Sequence, residues 1–381
     1  MGAFGRIYYV QAPRAFAVDS RYRLILPTRY LLPLVNGIRQ ILRHEQPDIV
    51  DVCDKHSLLY LAGLLRKGWI RGVPRPTLVA TSAERFDDNV RTFIGPQPWA
   101  ASFARWFMRA IYAPMFDAHL CNSTYTADEL RTALPDHRQS AVHIVPPALP
   151  PEAYDIPCGA ETRSALLGLV GGDARTRLLA YVGRLSREKN PALLIDMLCA
   201  LVSGETTDGI TYHLLIAGDG PERRVFEEAR RRSGGRLHLL GNLPDSLAVR
   251  RLLACADVLV HPNPREPFGL APLEAMAAGL PVVTPDSGGV LSYADAGTAL
   301  LSPATPRAFA SAVREVFAHP ERTAQRVAAA RIRAAAFHEE RVVPAYFALL
   351  DDLHARRLAA QAAAMRDTIG DSVVREAAAS R

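Results

Sequence analysis

The chain lacks the features that would place it in a bilayer or in an extracellular disulfide scaffold. No apolar run approaches the roughly 18 to 20 residues needed to span a membrane, and the opening MGAFGRIYYV has no secretory-leader order of basic, apolar and small residues. These absences point to a cytoplasmic protein whose contact with a membrane is peripheral. Cysteine is scarce. Cys53, Cys121, Cys158, Cys199 and Cys255 are scattered, odd in number, and show neither CxxC nor Cys/His spacing. They read as reduced, mostly buried small hydrophobes with no structural zinc. An excess of one charge sign is also nearly missing. The net charge of +6 suits anionic ligands, acidic lipid surfaces and nucleic acid equally well, but no nucleic-acid motif stands behind the charge, so no nucleic-acid partner is expected.

What the chain does have is length and apolar content. Its 381 residues, 49% of them hydrophobic, exceed one ordinary core and predict two globular domains of about 150 to 200 residues each. Short apolar runs (DIVDV, TLVATS, DAHLCNS and VHIVPP, then RLLAYVGRL, YHLLIAGDG, LHLLGN, DVLVHP and PVVTP) alternate with helix-period segments at 190–203, 221–233, 245–255 and 270–278. Strands alternating with helices predict parallel α/β sheets that bind ligands at their carboxyl ends, and the pattern occurs twice. Prolines crowd residues 145–157 and mark the boundary. The expected domains are therefore 1–148 and 149–340. A helix over 341–381 is expected to pack back toward the first domain and to end in a frayed tail.

Polar groups cluster where strands of the second half should end. In YVGRLSREKN, Gly183 follows a strand, and Arg184 and Lys189 flank the start of a helix with Pro191 in its first turn. Two cations beside unpaired helix amides suit a phosphate or diphosphate. A solvated basic turn is the plainer alternative. The stretch NPREPFGLAPLEAMAAGLPVVT, residues 263–284, belongs at the same rim. Backbone N–H groups of Phe268, Gly269 and Leu270 are placed to line the same anion, with Gly269 allowing close approach or positive φ. Glu266, expected on an exposed rim before the helix, and Glu274, about one turn inside it, would accept hydrogen bonds from hydroxyls on either side of the phosphates. Such a set suits a nucleotide sugar.

VGRLSREKN, LLIAGDGPE, DVLVHPNPREPFGLAPLEAMAAGLPVV and SGG occur in order. Together they resemble the C-terminal domain of retaining GT-B glycosyltransferases of the glycogen-synthase-like family, glycosyltransferase family 4, which includes bacterial α-mannosyltransferases. The spacing of Glu266 and Glu274 is that family's signature. The resemblance implies an α/β fold of two Rossmann-like domains with parallel sheets facing a central cleft. It also implies that Arg184 and Lys189 bind the donor diphosphate, Glu266 the transferred sugar and Glu274 the ribose, with Gly269 and Leu270 giving backbone contacts. No metal or other cofactor is implied, and no Asp-x-Asp occurs in the chain; the two cations would neutralise the leaving group.

The first half resembles the acceptor-side domain of the mannosyltransferase branch through DVCDKHSLLYLAGLL and LVATSAERFDDN. Ala83 stands where relatives usually carry a donor-contacting His, and His56 nearby reads equally as a structural residue. The segment IYYVQAPR matches one βα unit later than the family pattern begins. GDGPE is no dinucleotide loop, because Arg223 falls where the third glycine is needed. RWFMRAIYAPMF, residues 105–116, reads as a core helix or, less simply, as an interfacial membrane-docking helix. Arg66, Lys67, Trp69 and Arg71 would extend such a surface.

The resulting expectation is a glycosyltransferase that moves a hexose, with mannose from GDP-mannose the first choice, onto a lipid-linked or glycan acceptor at the inner face of the cell membrane. A UDP-sugar donor, a non-catalytic sugar-nucleotide-binding paralogue and a nucleotide-sugar epimerase are the alternatives.

Overall fold

Strands covered on both faces read as continuous apolar runs rather than alternating ones. In the computed structural model of the chain, Leu178, Leu179 and Ala180 are accordingly all fully buried. The structure describes residues 5–379 apart from 16–18, 24, 28–29, 31–36, 94, 96, 155 and 204–208. The chain divides into two compact units, one of residues 1–122, 126–145 and 344–381, the other of 123–125 and 146–343.

In the first unit an antiparallel pair, β1 (Arg14–Ala15) and β2 (Asp19–Arg23), precedes a parallel sheet. That sheet holds β3 (Ile49–Val52), β4 (Thr77–Ser82), β5 (Ala118–Cys121) and β6 (Val142–Ile144), side by side in chain order. Asp117, just before β5, accepts from Arg66 and Arg75 at 2.7 Å each and from the Leu78 N–H at 3.0 Å, which fixes the entry to two strands. The last helix, Glu339–Ala379, runs through Ala379 where the sequence suggested a frayed tail. Its Leu350 is buried with Val79 and Leu120, and Tyr346 donates to Asp51 at 3.0 Å. Among the described residues no helix is long and apolar enough to cross a membrane.

The second unit is built on six parallel strands: β7 (Thr176–Val182), β8 (Thr211–Ala217), β9 (Leu237–Gly241), β10 (Val258–Val260), β11 (Val282–Pro285) and β12 (Leu300–Ser302). Their order across the sheet is β12-β11-β10-β7-β8-β9. Leu179 and Tyr181 face a core completed by helices Ala192–Ser203 and Pro306–Ala318. Ala180 and Leu259 face the opposite core, against helices Leu270–Ala278 and Pro320–Ala334. The helix periods at 190–203, 221–233, 245–255 and 270–278 all correspond to helices. The strand β12 was not read from the sequence.

The reduced state expected of all the cysteines does not hold. Cys158, just before helix Ala160–Val170, is disulfide-bonded to Cys255 at the end of helix Ser246–Cys255. The partners lie 97 positions apart, and only packing of those two helices brings them together, so spacing gave no sign of it. Of the remaining cysteines Cys121 is buried, Cys199 half-buried and Cys53 exposed. Thiol titration of the chain, unfolded without reductant, should therefore find three free thiols. Finding all five reduced would contradict the bond.

Candidate active site

The sheet of the second unit reverses direction at β7. From there the chain steps outward through β8 and β9, then returns to place β10 on the other side of β7. In a doubly wound sheet the loops after the two strands at such a switch point diverge and leave a crevice at their carboxyl ends. The loops that diverge here are 183–191 and 261–269, and they carry the residues singled out in the sequence.

The first loop is held on both sides. Gly183 donates to Ala217 at the end of β8 and Leu185 to Asp219 just beyond it, each at 3.0 Å. Asn190 reaches across to the carbonyl of Pro262 at 3.0 Å. Between them Arg187–Lys189 forms a single 3-10 turn, closed by Asn190 in a left-handed conformation at φ 51°. The helix proper begins only at Ala192, so Lys189 lies on this turn rather than in the helix. Its ammonium points at the second loop. Arg184, part-exposed, pairs with Glu188 at 3.1 Å.

Glu266 departs from expectation. It is buried, with only 6% of its surface exposed, rather than displayed on an open rim. Lys189 Nζ donates to both carboxylate oxygens at 2.7 and 2.9 Å, and Asn263 Nδ2 donates to Oε2 at 2.9 Å. Buried His261 brings Nε2 to 3.3 Å of the same oxygen. Burial pushes the Glu266 carboxyl up, but His261 and Lys189 outweigh it and hold the group well below the ordinary carboxylate range.

The burial has a backbone cause in the Ser-Gly-Gly segment. Gly289 donates its N–H to the Glu266 carbonyl at 2.6 Å, and Ser287 donates to the Pro264 carbonyl at 3.1 Å. A Cβ at position 289 would meet the Pro267 carbonyl oxygen at 1.9 Å, so only glycine lets this segment close over the loop. At the far end Gly269 adopts φ 90°, and Tyr293 donates to its carbonyl. Phe268 packs its ring against Tyr293 and Phe337, so only its backbone is left for a ligand. Leu270, 46% exposed, starts the helix.

Glu274, in that helix, is the electrostatic opposite of Glu266. Burial raises its affinity for a proton, and the charge of Arg250 offsets this only in part. Arg250 Nε is itself buried without a hydrogen-bond partner among the described residues. A half-buried carboxylate of this kind favours hydroxyl donors supplied by a ligand.

The structure thus places Gly183, Arg184, Lys189, Glu266, Phe268 and Gly269 on the loops that follow β7 and β10, and Leu270 and Glu274 in the helix after the second loop. His261 and Asn263 were missed as functional candidates. Their signal was position: both follow β10 directly and precede Glu266 by at most five residues. His56 and Ala83 belong to the first unit. There His56 Nε2 lies 3.7 Å from Glu84, and the Ala83 carbonyl accepts from Asn122 at 3.3 Å. Among the described residues no group of three or more His, Cys, Asp or Glu is arranged to hold a metal.

The two glutamates should respond oppositely to neutralisation. Glu266→Gln removes the negative charge, and one of two acceptor oxygens, from a buried ion pair and should cost roughly 2 to 3 kcal/mol at neutral pH, less than for a fully enclosed pair because Lys189 keeps some solvent. A carboxyl whose folded pKa is depressed stabilises above its unfolded value. That contribution should fade as pH falls below about 4.3, the ordinary glutamate range. Glu274, with a raised folded pKa, opposes folding at neutral pH, so Glu274→Gln should leave the unfolding free energy unchanged or higher. Denaturant melts of both variants at pH 7 and pH 4 check the pair; equal destabilisation by the two would contradict this electrostatic reading.

Residues 7–153 match the family model described as Glycosyltransferase Family 4, and residues 176–319 match Glycosyl transferases group 1. The chain is 31% identical over 343 residues to a GDP-mannose-dependent alpha-(1-6)-phosphatidylinositol dimannoside mannosyltransferase of Mycobacterium tuberculosis, covering 86% of this chain and 82% of that protein. It is 27% identical over 336 residues to the human alpha-1,3/1,6-mannosyltransferase ALG2, covering 84% and 74%. In fold it is similar to Anabaena HepE, solved with UDP and glucose, at a TM-score of 0.68 and 20% identity over 85% of this chain and 83% of the other. A sucrose-phosphate synthase of Thermosynechococcus elongatus matches at a TM-score of 0.62 and 20% identity, covering 86% and 82%. With its two parallel sheets, its ordered motifs and this similarity along most of its length, the chain belongs to the GT-B glycosyltransferases of family 4 and is a glycosyltransferase.

Proposed function

We propose that this glycosyltransferase moves mannose from GDP-mannose onto a lipid-linked or polysaccharide acceptor, with retention at the anomeric carbon and without a metal ion. The observation that carries the reading is the 31% identity, over 86% of the chain, with a mannosyltransferase named for GDP-mannose. In this reading Arg184 and Lys189 bind the diphosphate, joined by the backbone amides at the start of helix Leu270–Ala278. Glu266 accepts from sugar hydroxyls and Glu274 from the ribose. Breakage of the bond from the anomeric carbon to the diphosphate oxygen builds negative charge beside Lys189. The acceptor oxygen bonds that carbon from the same face, and the departing diphosphate takes the acceptor's proton.

The ion pair already present between Lys189 and Glu266 orients both groups for adjoining parts of one donor. An ammonium has three donors, so Lys189 can keep Glu266 and still meet a phosphate oxygen.

In the same reading the protein works in the cytoplasm at the inner face of the membrane. The helix Pro98–Phe107 buries Ala104 and Phe107 but leaves Trp99, Phe103 and Trp106 exposed, beside exposed Arg105 and Arg109. Aromatic and basic side chains on one outward face suit peripheral contact with an anionic surface.

A thermal-shift panel followed by turnover assays tests the donor. GDP-mannose should give the largest stabilisation and should be consumed in the presence of EDTA. Selective stabilisation by UDP sugars would replace the donor, an absolute magnesium requirement would overturn the metal-free mechanism, and binding without transfer or hydrolysis would favour a non-catalytic role. Lys189→Ala should lower kcat by about 10²- to 10³-fold while weakening donor binding less, because its main partner is charge that develops in the transition state. An unchanged kcat with a raised KM would reduce Lys189 to a binding residue.

A further inference from the structure

The last helix changes character along one face. Tyr346, Leu349, Leu350 and Leu353 pack against β4, β5 and their neighbours in the first unit. Positions three, four, seven and eight residues on from Leu353 continue the same stripe, yet they hold Arg356, Arg357, Ala360 and Gln361. Here the helix and the sheet part around a cavity of about 590 Å³. Its opposite wall is the amino-terminal edge of the sheet, at Thr77 before β4's interior, at Asp117 and Ala118, and at Ser140 and His143 around β6. A core-facing stripe that turns cationic where the wall recedes does not fill space with apolar packing. It lines the space with cationic and polar side chains.

The polar groups are prepared for an anion. Arg357 is oriented by Nε donation to Thr77 Oγ1 at 2.8 Å and by Nη1 donation to Gln361 at 3.0 Å. Thr77 Oγ1 is also 2.8 Å from His354 Nδ1. Arg75 gives one nitrogen to Asp117, while its Nε is buried without a hydrogen-bond partner among the described residues. Asp117, the acidic group in the wall, is already engaged by Arg66, Arg75 and the Leu78 amide. Burial chiefly, with the nearby Arg356 adding to it and Asp352 opposing, makes His143 reluctant to take a proton. Arg356, whose head is largely exposed, pairs with Asp352 at 2.8 Å.

We propose that this cavity binds a small soluble phosphate ester or diphosphate, which bridges the last helix and the first unit's sheet. Guanidinium groups match phosphate oxygens two at a time, and the volume lies in the usual range of about 300 to 1,000 Å³ for small-molecule sites. The site stands at the amino-terminal edge of its sheet, whereas ligands of parallel α/β sheets bind at the carboxyl edge. It is therefore an accessory site that tightens the hold of the helix on the sheet, and it does not depend on the identity of the donor or acceptor.

Inorganic pyrophosphate is the probe, titrated calorimetrically into the full chain carrying Arg184→Ala with the paired Lys189→Met and Glu266→Gln, so that the proposed donor site does not contribute and no buried carboxylate is left unmatched. One pyrophosphate per chain is expected. Arg357→Gln should weaken it at least about tenfold, the loss of one charge-assisted contact, Arg356→Gln should weaken it less, and Arg357→Lys should restore part of the affinity. Melting temperatures without pyrophosphate identify any variant that has lost its fold, and largely exposed Arg356 provides the second variant in that event. No binding in the background chain, or affinity indifferent to both arginines, would overturn the proposal. So would sedimentation with phosphatidylglycerol vesicles that needs Arg356 and Arg357 while pyrophosphate fails to bind, since that result would make the cluster a membrane contact.

Discussion

Everything at the candidate site turns on keeping a carboxylate charged inside the protein. Removing Glu266 from water is costly unless its charge is matched and its oxygens are satisfied. Lys189 supplies the opposite charge, Asn263 a neutral donor, and His261 a polar ring at 3.3 Å. Each comes from a fixed place. Lys189 ends a 3-10 turn tied through Asn190 to the other loop, while His261 and Asn263 follow immediately on a buried strand. The carboxylate therefore joins the loops of β7 and β10, and the crevice formed where the sheet reverses becomes a defined set of charges.

Backbone close to backbone makes that arrangement possible. The Ser-Gly-Gly segment after β11 lies directly on the loop that holds Glu266, and a side chain at Gly289 would overlap it. Beneath the loop, Phe268, Tyr293 and Phe337 form one aromatic cluster, so the groups facing the ligand rest on ordinary hydrophobic packing. Glu274 then stands out as a carboxylate whose burial is poorly matched. Sites that bind polar ligands commonly retain such groups at the expense of stability.

Much of this was legible in the sequence because parallel strands are short, apolar and punctuated. The runs at 177–185 and 257–262 gave β7 and β10, and charged residues at or shortly after their ends gave Arg184, Lys189 and Glu266. What escaped depends on through-space packing. Nothing local says that Glu266 is buried, since its cover comes from Gly288 and Gly289, or that Cys158 meets Cys255. The last helix was read as packing back on the first domain, but nothing in its pattern showed that Arg356 and Arg357 would stand beside the sheet around a cavity. Lys55 gave no sequence cue of its burial either, yet it is enclosed with Glu129 at 2.8 Å.

The central claim is that Lys189 and Glu266 act as one coupled unit, and a double-mutant cycle in denaturant unfolding tests it most directly. Lys189→Met, Glu266→Gln and the double variant should give a coupling of about 1 to 3 kcal/mol at pH 7, with the double variant more stable than the two single losses summed. Additivity within roughly 0.5 kcal/mol, the behaviour of independent residues, would contradict it.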